Sequence, residues 1–322
     1  MKIGVMSAGL GGMGFEKALD YCQSLGLGAI ELPVGCYPGT PFFDPEAVLK
    51  SADEQNRIKD MCKQRGLEIS GLAVHGNPVH PDAAVAKEHT KAHETAVKLA
   101  RKLGTTVVIN FSGCPGGSKK DTTPNWVTCP WPPDFSDAVK YQWNDVLIPF
   151  WTKQNKLAAD EGVKIGFEAH PGFCVYNTET LLCLRKECGK QLGANFDPSH
   201  FFWQGIDPIE SARELGKAKC IWHVHAKDTS IDPRNTALNG VLDTKSYGDV
   251  AVRSWVFRTV GYGHGDEFWK PFISMLRTYG YDGVLSIEHE DSLMSVQEGF
   301  EKAVEYLKGV IVKEKAGAAW WF

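Results

Sequence analysis

The chain has 322 residues, of which 43% are hydrophobic and 23% are charged, and its formal net charge is −4. This composition is ordinary for a globular protein, and the acidic balance argues against the basic domain typical of nucleic-acid-binding proteins. No apolar run approaches the roughly 18 residues of a membrane-spanning helix, and the N-terminus enters a strand rather than a signal peptide. Nine scattered cysteines without a CxxC pair predict free thiols and a cytoplasmic protein.

Apolar, strand-like runs alternate with amphipathic, helix-like segments along the chain. The predicted strands lie near 2–6, 28–32, 68–74, 105–110, 163–168, 192–197, 219–225 and 283–288. The predicted helices lie near 14–25, 53–65, 82–103, 137–161, 177–189, 207–215, 266–279 and 292–311. Eight such pairs without a change of composition favour a single-domain (β/α)8 TIM barrel over residues 1–311, with a doubly wound open sheet as the alternative.

Two long loops interrupt this repeat. One, at about 111–136 after the fourth strand, contains Trp126 and Trp131; the other, at about 227–264 after the seventh, ends in Gly261-Tyr-Gly-His-Gly265. Both leave the C-terminal ends of the strands, where barrel enzymes place their active sites. Their aromatic and proline residues favour ordered lids over disorder. The glycine-rich end of the second loop is a weak signal for phosphate binding.

The remaining residues, 312–322, form an aromatic tail that ends in Trp320-Trp-Phe322. Bulky aromatic side chains at a chain end are expected to dock on a surface rather than stay in water. The surface is either the same barrel or a partner chain, and in the second case the partner is a second copy of the chain or a smaller subunit.

The last four predicted strands each end in an acidic residue or a histidine. Glu168 and Asp197 lie 29 positions apart and Asp197 and His225 lie 28 apart, about one βα unit each, and the step from His225 to Glu288 is roughly twice as long. Because the ends of parallel strands meet at one face of a barrel, these side chains are predicted to converge on one divalent cation. An oxygen-rich set with one imidazole favours Mn²⁺, with Mg²⁺, Co²⁺, Fe²⁺ or Zn²⁺ as alternatives. The predicted ligands are Glu168, Asp197, His225 and Glu288.

Each predicted ligand has a structural alternative. Glu168 is also compatible with a buried salt bridge, and Asp197 with a cap on the following turn. His223 and His225 are two residues apart and share one face of their strand, so His225, nearer the barrel mouth, is the expected ligand and His223 lies deeper. Glu290 is further along the loop and is expected to be solvated.

A cation that holds a carbonyl and a neighbouring hydroxyl acidifies the adjacent C–H bond, and a base must then take the proton. His170 follows Glu168 by two residues and is the predicted base, with Glu168 and Glu288 as further catalytic groups. Lys227 pairs either with a substrate oxygen, with a site carboxylate or with a surface acid. The predicted substrate-binding residues are His75, His200, Lys227 and His264.

Four motifs carry a family resemblance, namely Phe167-Glu-Ala-His-Pro171, Asn195-Phe-Asp-Pro-Ser-His200, His223-Val-His-Ala-Lys-Asp228 and Gly283-Val-Leu-Ser-Ile-Glu288. With them the chain resembles, over nearly its whole length, the xylose-isomerase-like barrel superfamily of sugar isomerases and epimerases. The resemblance implies that the four predicted ligands bind the metal, that both glutamates move the proton and that the histidine three residues after Asp197 contacts a substrate oxygen. The arginine that epimerases carry shortly after the His-x-His motif is absent here.

Within the superfamily, the chain is most similar to catalytic subunits of bacterial C-glycoside deglycosidases, which act on 3-oxo-glucosides with a smaller partner subunit. This resemblance implies a lyase that removes the C2 proton and expels the aglycone by β-elimination, with the Trp-rich loop stacking on an aromatic aglycone. The alternatives are a ketose 3-epimerase or sugar isomerase and a barrel that only binds a sugar. The substrate is a small sugar or glycoside in each case, and neither nucleic acid nor membrane is an expected partner.

Overall fold

A computed structural model describes residues 1–314, 317 and 321, so most of the predicted tail lies outside the described residues. The strands within them are β1 (Lys2–Val5), β2 (Ala29–Pro33), β3 (Glu68–Ala73), β4 (Val107–Asn110), β5 (Lys164–Glu168), β6 (Leu192–Phe196), β7 (Ile221–Ala226), β8 (Asp228–Ile231), β9 (Trp255–Arg258) and β10 (Val284–Ile287). Each barrel strand starts and ends within two residues of its predicted range.

All strands except β8 and β9 are parallel and form one sheet, in the order β1-β10-β7-β6-β5-β4-β3-β2. The sheet curls into a nearly closed barrel. Between β1 and β2 the closure consists of a bridge from Met6 to Glu31 and a backbone hydrogen bond from Gly28 N to Ile3 O of 2.9 Å. The predicted (β/α)8 barrel is therefore confirmed, and the carboxyl ends of its strands meet at one face.

The helices within the described residues surround this barrel. Asp and Ser side chains cap several of them, as at Asp82 and Ser295, where each accepts hydrogen bonds from backbone N–H groups of the first turn. None of these helices is long and apolar enough to cross a membrane. Their bounds are α1 (Phe15–Ser24), α2 (Pro45–Lys50), α3 (Ala52–Gln64), α4 (Ala83–Ala100), α5 (Pro133–Lys140), α6 (Ile148–Asp160), α7 (Thr178–Cys188), α8 (Ser199–Phe202), α9 (Pro208–Lys217), α10 (Pro233–Asn239), α11 (Asp266–Thr278) and α12 (Val296–Val310).

The helix predicted over 137–161 is interrupted. A π-helical segment over Tyr141–Leu147 separates α5 from α6, and Ile148 N donates to the carbonyl of Trp143, five residues earlier. Pro149 has no N–H to donate and its ring crowds the preceding turn, which accounts for the wider winding there. Gln142 lies in this segment and is buried. Its side-chain amide donates to carbonyls of the first long loop, including that of Pro115 at 3.2 Å, and so orders that loop.

The second long loop contains regular structure that the sequence did not predict. Strands β8 and β9 pair antiparallel, with Asp228 opposite Arg258 and Ile231 opposite Trp255. Trp203, Trp255 and Phe257 form a small hydrophobic core beside them, separate from the main core of the barrel. The loop is thus an ordered excursion attached directly to β7.

The glycine-rich turn at the end of this loop does not offer its N–H groups to a phosphate. Gly261 N, Gly263 N and His264 N donate to Asp228 Oδ2 at 3.1, 3.2 and 2.9 Å. A side chain at Gly263 would collide with the backbone of Thr229, so the turn requires glycine there. The structure does not support the weak phosphate signal in the sequence, because the buried carboxylate of Asp228 already accepts from these donors.

Candidate metal centre

The four predicted ligands converge at the carboxyl end of the barrel. Glu168 is the last residue of β5, His225 lies in β7, and Asp197 and Glu288 immediately follow β6 and β10. They offer ligand atoms that all lie within 4.8 Å of one another. His225 Nδ1 is 3.1 Å from Glu168 Oε2 and 3.4 Å from Glu288 Oε2. Two ligand atoms that share one ion at about 2.1 Å are roughly 3.0–3.4 Å apart, so these spacings fit a single cation.

Two of these ligand atoms lack a hydrogen bond to any described residue, although Lys227 Nζ lies 3.1 Å from one of them, Asp197 Oδ2. His225 Nδ1 and Asp197 Oδ2 are buried and make no hydrogen bond within the described part of the chain. Burial of an unsatisfied polar atom costs on the order of 1–3 kcal/mol. A cation bound between the two side chains would satisfy both atoms, which makes the donor set fit a metal better than a purely structural cluster.

Glu31 belongs to this centre and was missed by the sequence analysis. Its Oε2 lies 2.9 Å from His225 Nε2 and accepts a hydrogen bond of 2.8 Å from Ser286 Oγ. Metal-binding histidines usually donate their second N–H to such a carboxylate. Burial alone would raise the pKa of Glu31, but the imidazoles of His225 and His223 hold it below its ordinary value. The sequence signal that could have identified Glu31 is a single carboxylate in the middle of the otherwise apolar strand β2, where it needs a partner.

His75 and His200 contact Glu168 directly. His75 Nε2 is 3.1 Å from Glu168 Oε2, His200 Nε2 is 2.8 Å from Oε1, and Asn195 Nδ2 donates to Oε2 at 3.2 Å. Burial raises the pKa of Glu168, but the imidazoles of His200, His225 and His75 around its carboxylate bring it well below its ordinary value. The two histidines predicted to bind substrate therefore first position a candidate ligand.

Lys227 is buried among the site carboxylates. Its Nζ lies 2.6 Å from Glu288 Oε2, 3.0 Å from Glu290 Oε2 and 3.1 Å from Asp197 Oδ2. Burial would lower the pKa of Lys227, but these carboxylates hold it well above its ordinary value, so the ammonium stays charged. A divalent cation held here would, together with this lysine, balance the charges of the three ligand carboxylates. Glu290, predicted to be solvated, instead pairs with the lysine while remaining half-exposed.

His170 stands at the edge of the centre. Its ring centroid lies 4.2 Å from that of His200, and its Nδ1 faces the carbonyl of Pro171. Burial and the nearby His200 lower the pKa of His170 to about 3, so the imidazole is neutral at neutral pH. Because a carbonyl can only accept, Nδ1 carries the ring proton and donates it in the hydrogen bond to Pro171. The lone pair on Nε2 is then available to accept a proton.

His264 is not brought to the centre. Its Nδ1 lies 2.8 Å from Asp228 Oδ1, and its ring stacks on Phe202 with centroids 3.7 Å apart. A cavity at the barrel mouth, described below, lies above the candidate ligands, and His264 is not among the described residues that line it. The structure therefore places the His264 ring against Asp228 and Phe202 and not beside the candidate ligands, and its role in substrate binding stays a prediction.

A cavity of about 440 Å³ opens above the candidate ligands. This volume is within the range of small-molecule sites. One side is apolar, with Phe111 stacked on Phe173 at 4.3 Å, and the other side is charged. We call it the central cavity; its polar lining consists of His75, Glu168, His170, Lys227, Glu288, His289 and Glu290.

The model of the xylose isomerase-like TIM barrel family matches residues 19–310 of the chain. The chain belongs to this family. The protein YfiH of Bacillus subtilis (strain 168), described as uncharacterized, is 39% identical over 314 residues, which cover 97% of this chain and 99% of that protein. The inosose dehydratase of Geobacillus thermodenitrificans (strain NG80-2) is 29% identical over 167 residues, about half of each chain (51% and 53%).

Solved structures share the same fold. The IOLI protein with a bound zinc atom superimposes with a TM-score of 0.65 at 18% identity, covering 98% of this chain and 100% of that one. A D-tagatose 3-epimerase-like protein gives a TM-score of 0.63 at 23% identity, covering 96% and 98%. At these identities the two structures show the fold alone, whereas the family and the inosose dehydratase relative support a sugar-modifying enzyme.

Proposed function

We propose that the protein is a divalent-metal-dependent lyase that enolises a keto sugar and then eliminates a group from the neighbouring carbon. One observation carries the proposal. Four ligand-type side chains from successive strand ends converge below an open cavity, and two of their buried atoms, His225 Nδ1 and Asp197 Oδ2, lack a hydrogen bond within the described residues. The structurally similar IOLI protein was solved with a bound zinc atom, which supports a bound metal ion in the proposal.

Glu168, Asp197, His225 and Glu288 are the proposed holders of the cation. A bound divalent ion supplies Lewis acidity, which polarises a ketone oxygen and stabilises the enolate charge. We propose Mn²⁺ because three of the four ligands are hard oxygen donors. Lys227 adds a fixed positive charge beside the same carboxylates and lines the central cavity, where it can also face a substrate oxygen.

His170 is the proposed base, through the lone pair on Nε2. It removes the proton at C2, next to a C3 ketone, and the electron pair of that C–H bond becomes the C2–C3 π bond of the enolate. The electrons of the enolate's C2–C3 π bond then form the C1–C2 double bond, and the ketone at C3 is restored. At the same time, the bond from C1 to the aglycone breaks. The aglycone leaves with that bonding pair and takes up a proton. The products are an enone and the free aglycone, and no oxidant is consumed. Glu168 and Glu288 are the alternative proton carriers.

The proposed substrate is a 3-oxo-glycoside, as for the C-glycoside deglycosidases that the chain resembles. Elimination is favoured by the relative named inosose dehydratase, since a dehydratase performs an elimination in which water is the leaving group. The second candidate is a ketose 3-epimerase, in which the enolate is reprotonated instead. It is favoured by the structural similarity to a D-tagatose 3-epimerase-like protein.

The test uses the full chain stripped with EDTA and reloaded with Mn²⁺. It is incubated with 4-nitrophenyl 3-oxo-β-D-glucoside and, separately, with free ketoses, and the stripped protein and Asp197→Asn serve as controls. We expect metal-dependent release of 4-nitrophenol, detected by absorbance. Epimer formation from the ketoses alone would establish the second candidate instead. A protein that binds no ion, or that is silent on both substrates when loaded, contradicts the proposal.

A further inference from the structure

Two carboxylate oxygens of the candidate metal centre already face a positive charge of the chain itself. Lys227 Nζ lies 2.6 Å from Glu288 Oε2 and 3.1 Å from Asp197 Oδ2. Both acids belong to the four candidate ligands, and Glu288 Oε2 is also 3.4 Å from His225 Nδ1. The same oxygen atoms would therefore serve both the ammonium and a bound ion.

A cation at this centre would lie close to that ammonium. An ion bound to Glu288 Oε2 at about 2.1 Å can be no more than about 5 Å from Lys227 Nζ, because the oxygen lies between them or to one side. Like charges repel strongly at this separation when water does not screen them, and the Lys227 side chain is only 2% exposed. The lysine therefore competes with the ion for the ligand carboxylates unless another group offsets its charge.

Glu290 is placed to offset that charge. Its Oε2 lies 3.0 Å from Lys227 Nζ, and it is not one of the four candidate ligands. Two other carboxylates within the described residues lie within 4.0 Å of the ammonium, those of Asp197 and Glu288, and both are candidate ligands. In the part of the chain that the structure describes, Glu290 is thus the one carboxylate partner of Lys227 that a metal ion would not need.

The ammonium lies in the wall of the central cavity, which both Lys227 and Glu290 line. The Glu290 side chain is 49% exposed, so it approaches the buried ammonium from the open side. Lys227 Nζ is also 4.6 Å from the ring centroid of Phe257, a favourable cation–π distance. Water screens an ion pair between two exposed side chains, but here one partner is buried, so the pair with Glu290 affects where the ammonium is held.

We propose that Glu290 is a positioning residue that holds the Lys227 ammonium on the cavity side of the ligand carboxylates and thereby sets the affinity of the centre for a divalent cation. Without the Glu290 carboxylate, the ammonium is left with Asp197 and Glu288 alone and competes with the ion for them. The inference rests on the metal centre of the proposed function, but not on which sugar reacts or on whether elimination follows.

The test is a double-variant cycle that measures metal binding and needs no turnover. The full chain, stripped with EDTA, is titrated with Mn²⁺ against a competing chelator by isothermal titration calorimetry. The proteins are wild type, Glu290→Gln, Lys227→Met and the double variant. We expect Glu290→Gln to weaken binding about tenfold, the lower end of the range for groups that act on a metal through its ligands.

Lys227→Met keeps the length of the side chain without its charge and should bind Mn²⁺ at least as tightly as wild type. The double variant should bind within about twofold of Lys227→Met, because the effect of Glu290 requires the ammonium. If Lys227→Met does not unfold cooperatively in urea, Lys227→Gln takes its place in the cycle. Glu290→Asp retains the charge and should bind Mn²⁺ more tightly than Glu290→Gln.

Glu298→Gln is the matched control for the loss of a carboxylate. The Glu298 side chain is 56% exposed and also pairs with a lysine, Lys302 at 3.6 Å, but it is not among the described residues that line the central cavity. This variant should bind Mn²⁺ as wild type does.

Wild-type affinity in Glu290→Gln would overturn the inference. An equal loss on the Lys227→Met background would overturn it too, because Glu290 would then act on the ion directly. The same Mn²⁺-loaded samples are assayed with 4-nitrophenyl 3-oxo-β-D-glucoside and with free ketoses. If the affinities change as expected while no substrate reacts, the proposed function fails and the role of Glu290 stands. If wild type reacts but its affinity for Mn²⁺ does not depend on Glu290, the function stands and the inference fails.

Discussion

At the scale of single residues, Glu31 determines how His225 faces the other ligands. Its carboxylate accepts a hydrogen bond from the Nε2–H of His225, which leaves Nδ1, 3.1 Å from Glu168 Oε2, as the ring nitrogen that can coordinate a cation. Without that acceptor either ring nitrogen can carry the proton, and the ring loses a contact that fixes its orientation. Glu31, which the sequence analysis missed, therefore sets the orientation of His225, which it predicted as a ligand.

Glu31→Gln is expected to weaken Mn²⁺ binding by about 10- to 100-fold, the usual effect of removing a partner of a histidine ligand. The amide retains the size of the carboxylate but not its charge. Isothermal titration against a competing chelator measures the change. Ser286→Ala removes only one hydrogen bond to Glu31 and should cost less affinity. If Glu31→Gln binds Mn²⁺ as tightly as wild type, Glu31 does not orient His225.

His170→Ala is expected to keep the bound ion and lose about 10²- to 10⁴-fold in kcat, the range for removal of a general base. His170 also contacts Phe173, with ring centroids 5.5 Å apart, so Phe173→Leu controls for lost packing. That control should reduce kcat by less than tenfold. Release of 4-nitrophenol and metal content are measured on the same samples. A variant that loses its ion but retains the residual rate per bound ion would reassign His170 to a structural role.

At the scale of elements, the sequence locates strands much better than loops. A buried strand that ends in an acid is visible as a short apolar run followed by a polar residue, and so Glu168 and Glu288 could be placed correctly. Glu31 escaped because it lies inside β2, where its partners come from β7 and β10, more than 190 residues later in the chain. Hairpin β8–β9 escaped because its strands are only four residues each and are separated by a long connection.

Asp228→Asn should destabilise the second loop and with it the whole protein. Asp228 Oδ2 accepts from three backbone N–H groups of the glycine-rich turn and from Trp269 Nε1 at 3.3 Å. An amide nitrogen in that position would face buried donors, so we expect a loss on the order of 3 kcal/mol in the free energy of unfolding. Urea titration measures it. Asp232→Asn, a helix cap in the same loop, should be neutral because Asn caps equally well. Equal losses in both variants would contradict this role for Asp228.

At the scale of the whole molecule, the repeat of eight strand–helix pairs was enough to predict the barrel, because each strand is a short, largely apolar run. The convergence of the four ligands follows from that topology, since parallel strands all end at one face. The contacts of His75 and His200 with Glu168 do not follow from it. They depend on side-chain directions in the segments after β3 and β6, which no pattern of hydrophobicity specifies.

The pH dependence of stability also belongs to the whole molecule, and His93 is its clearest source outside the metal centre. His93 lies in α4, accepts a hydrogen bond from Asn110 Nδ2 at 3.2 Å and packs edge-on against Trp151. Burial lowers its pKa to about 4, against about 6.5 in an unfolded chain. Between these values the unfolded chain binds a proton that the folded protein does not. Stability from His93 is therefore complete above pH 6.5 and declines as the pH falls towards 4.

The expected decline is up to about 1.4 kcal/mol per pH unit, or roughly 3 kcal/mol in total from this residue. His93→Asn keeps an acceptor for Asn110 and cannot be protonated, so its free energy of unfolding should fall less steeply between pH 6.5 and 4.5 by the equivalent of one proton. Val97→Ala, a buried change in the same helix, controls for destabilisation and should leave the slope as in wild type because it removes no titratable group. Urea titrations at a series of pH values give the slopes. If His93→Asn and wild type have the same slope, His93 is already protonated when folded, and its burial beside Trp151 does not exclude the charge.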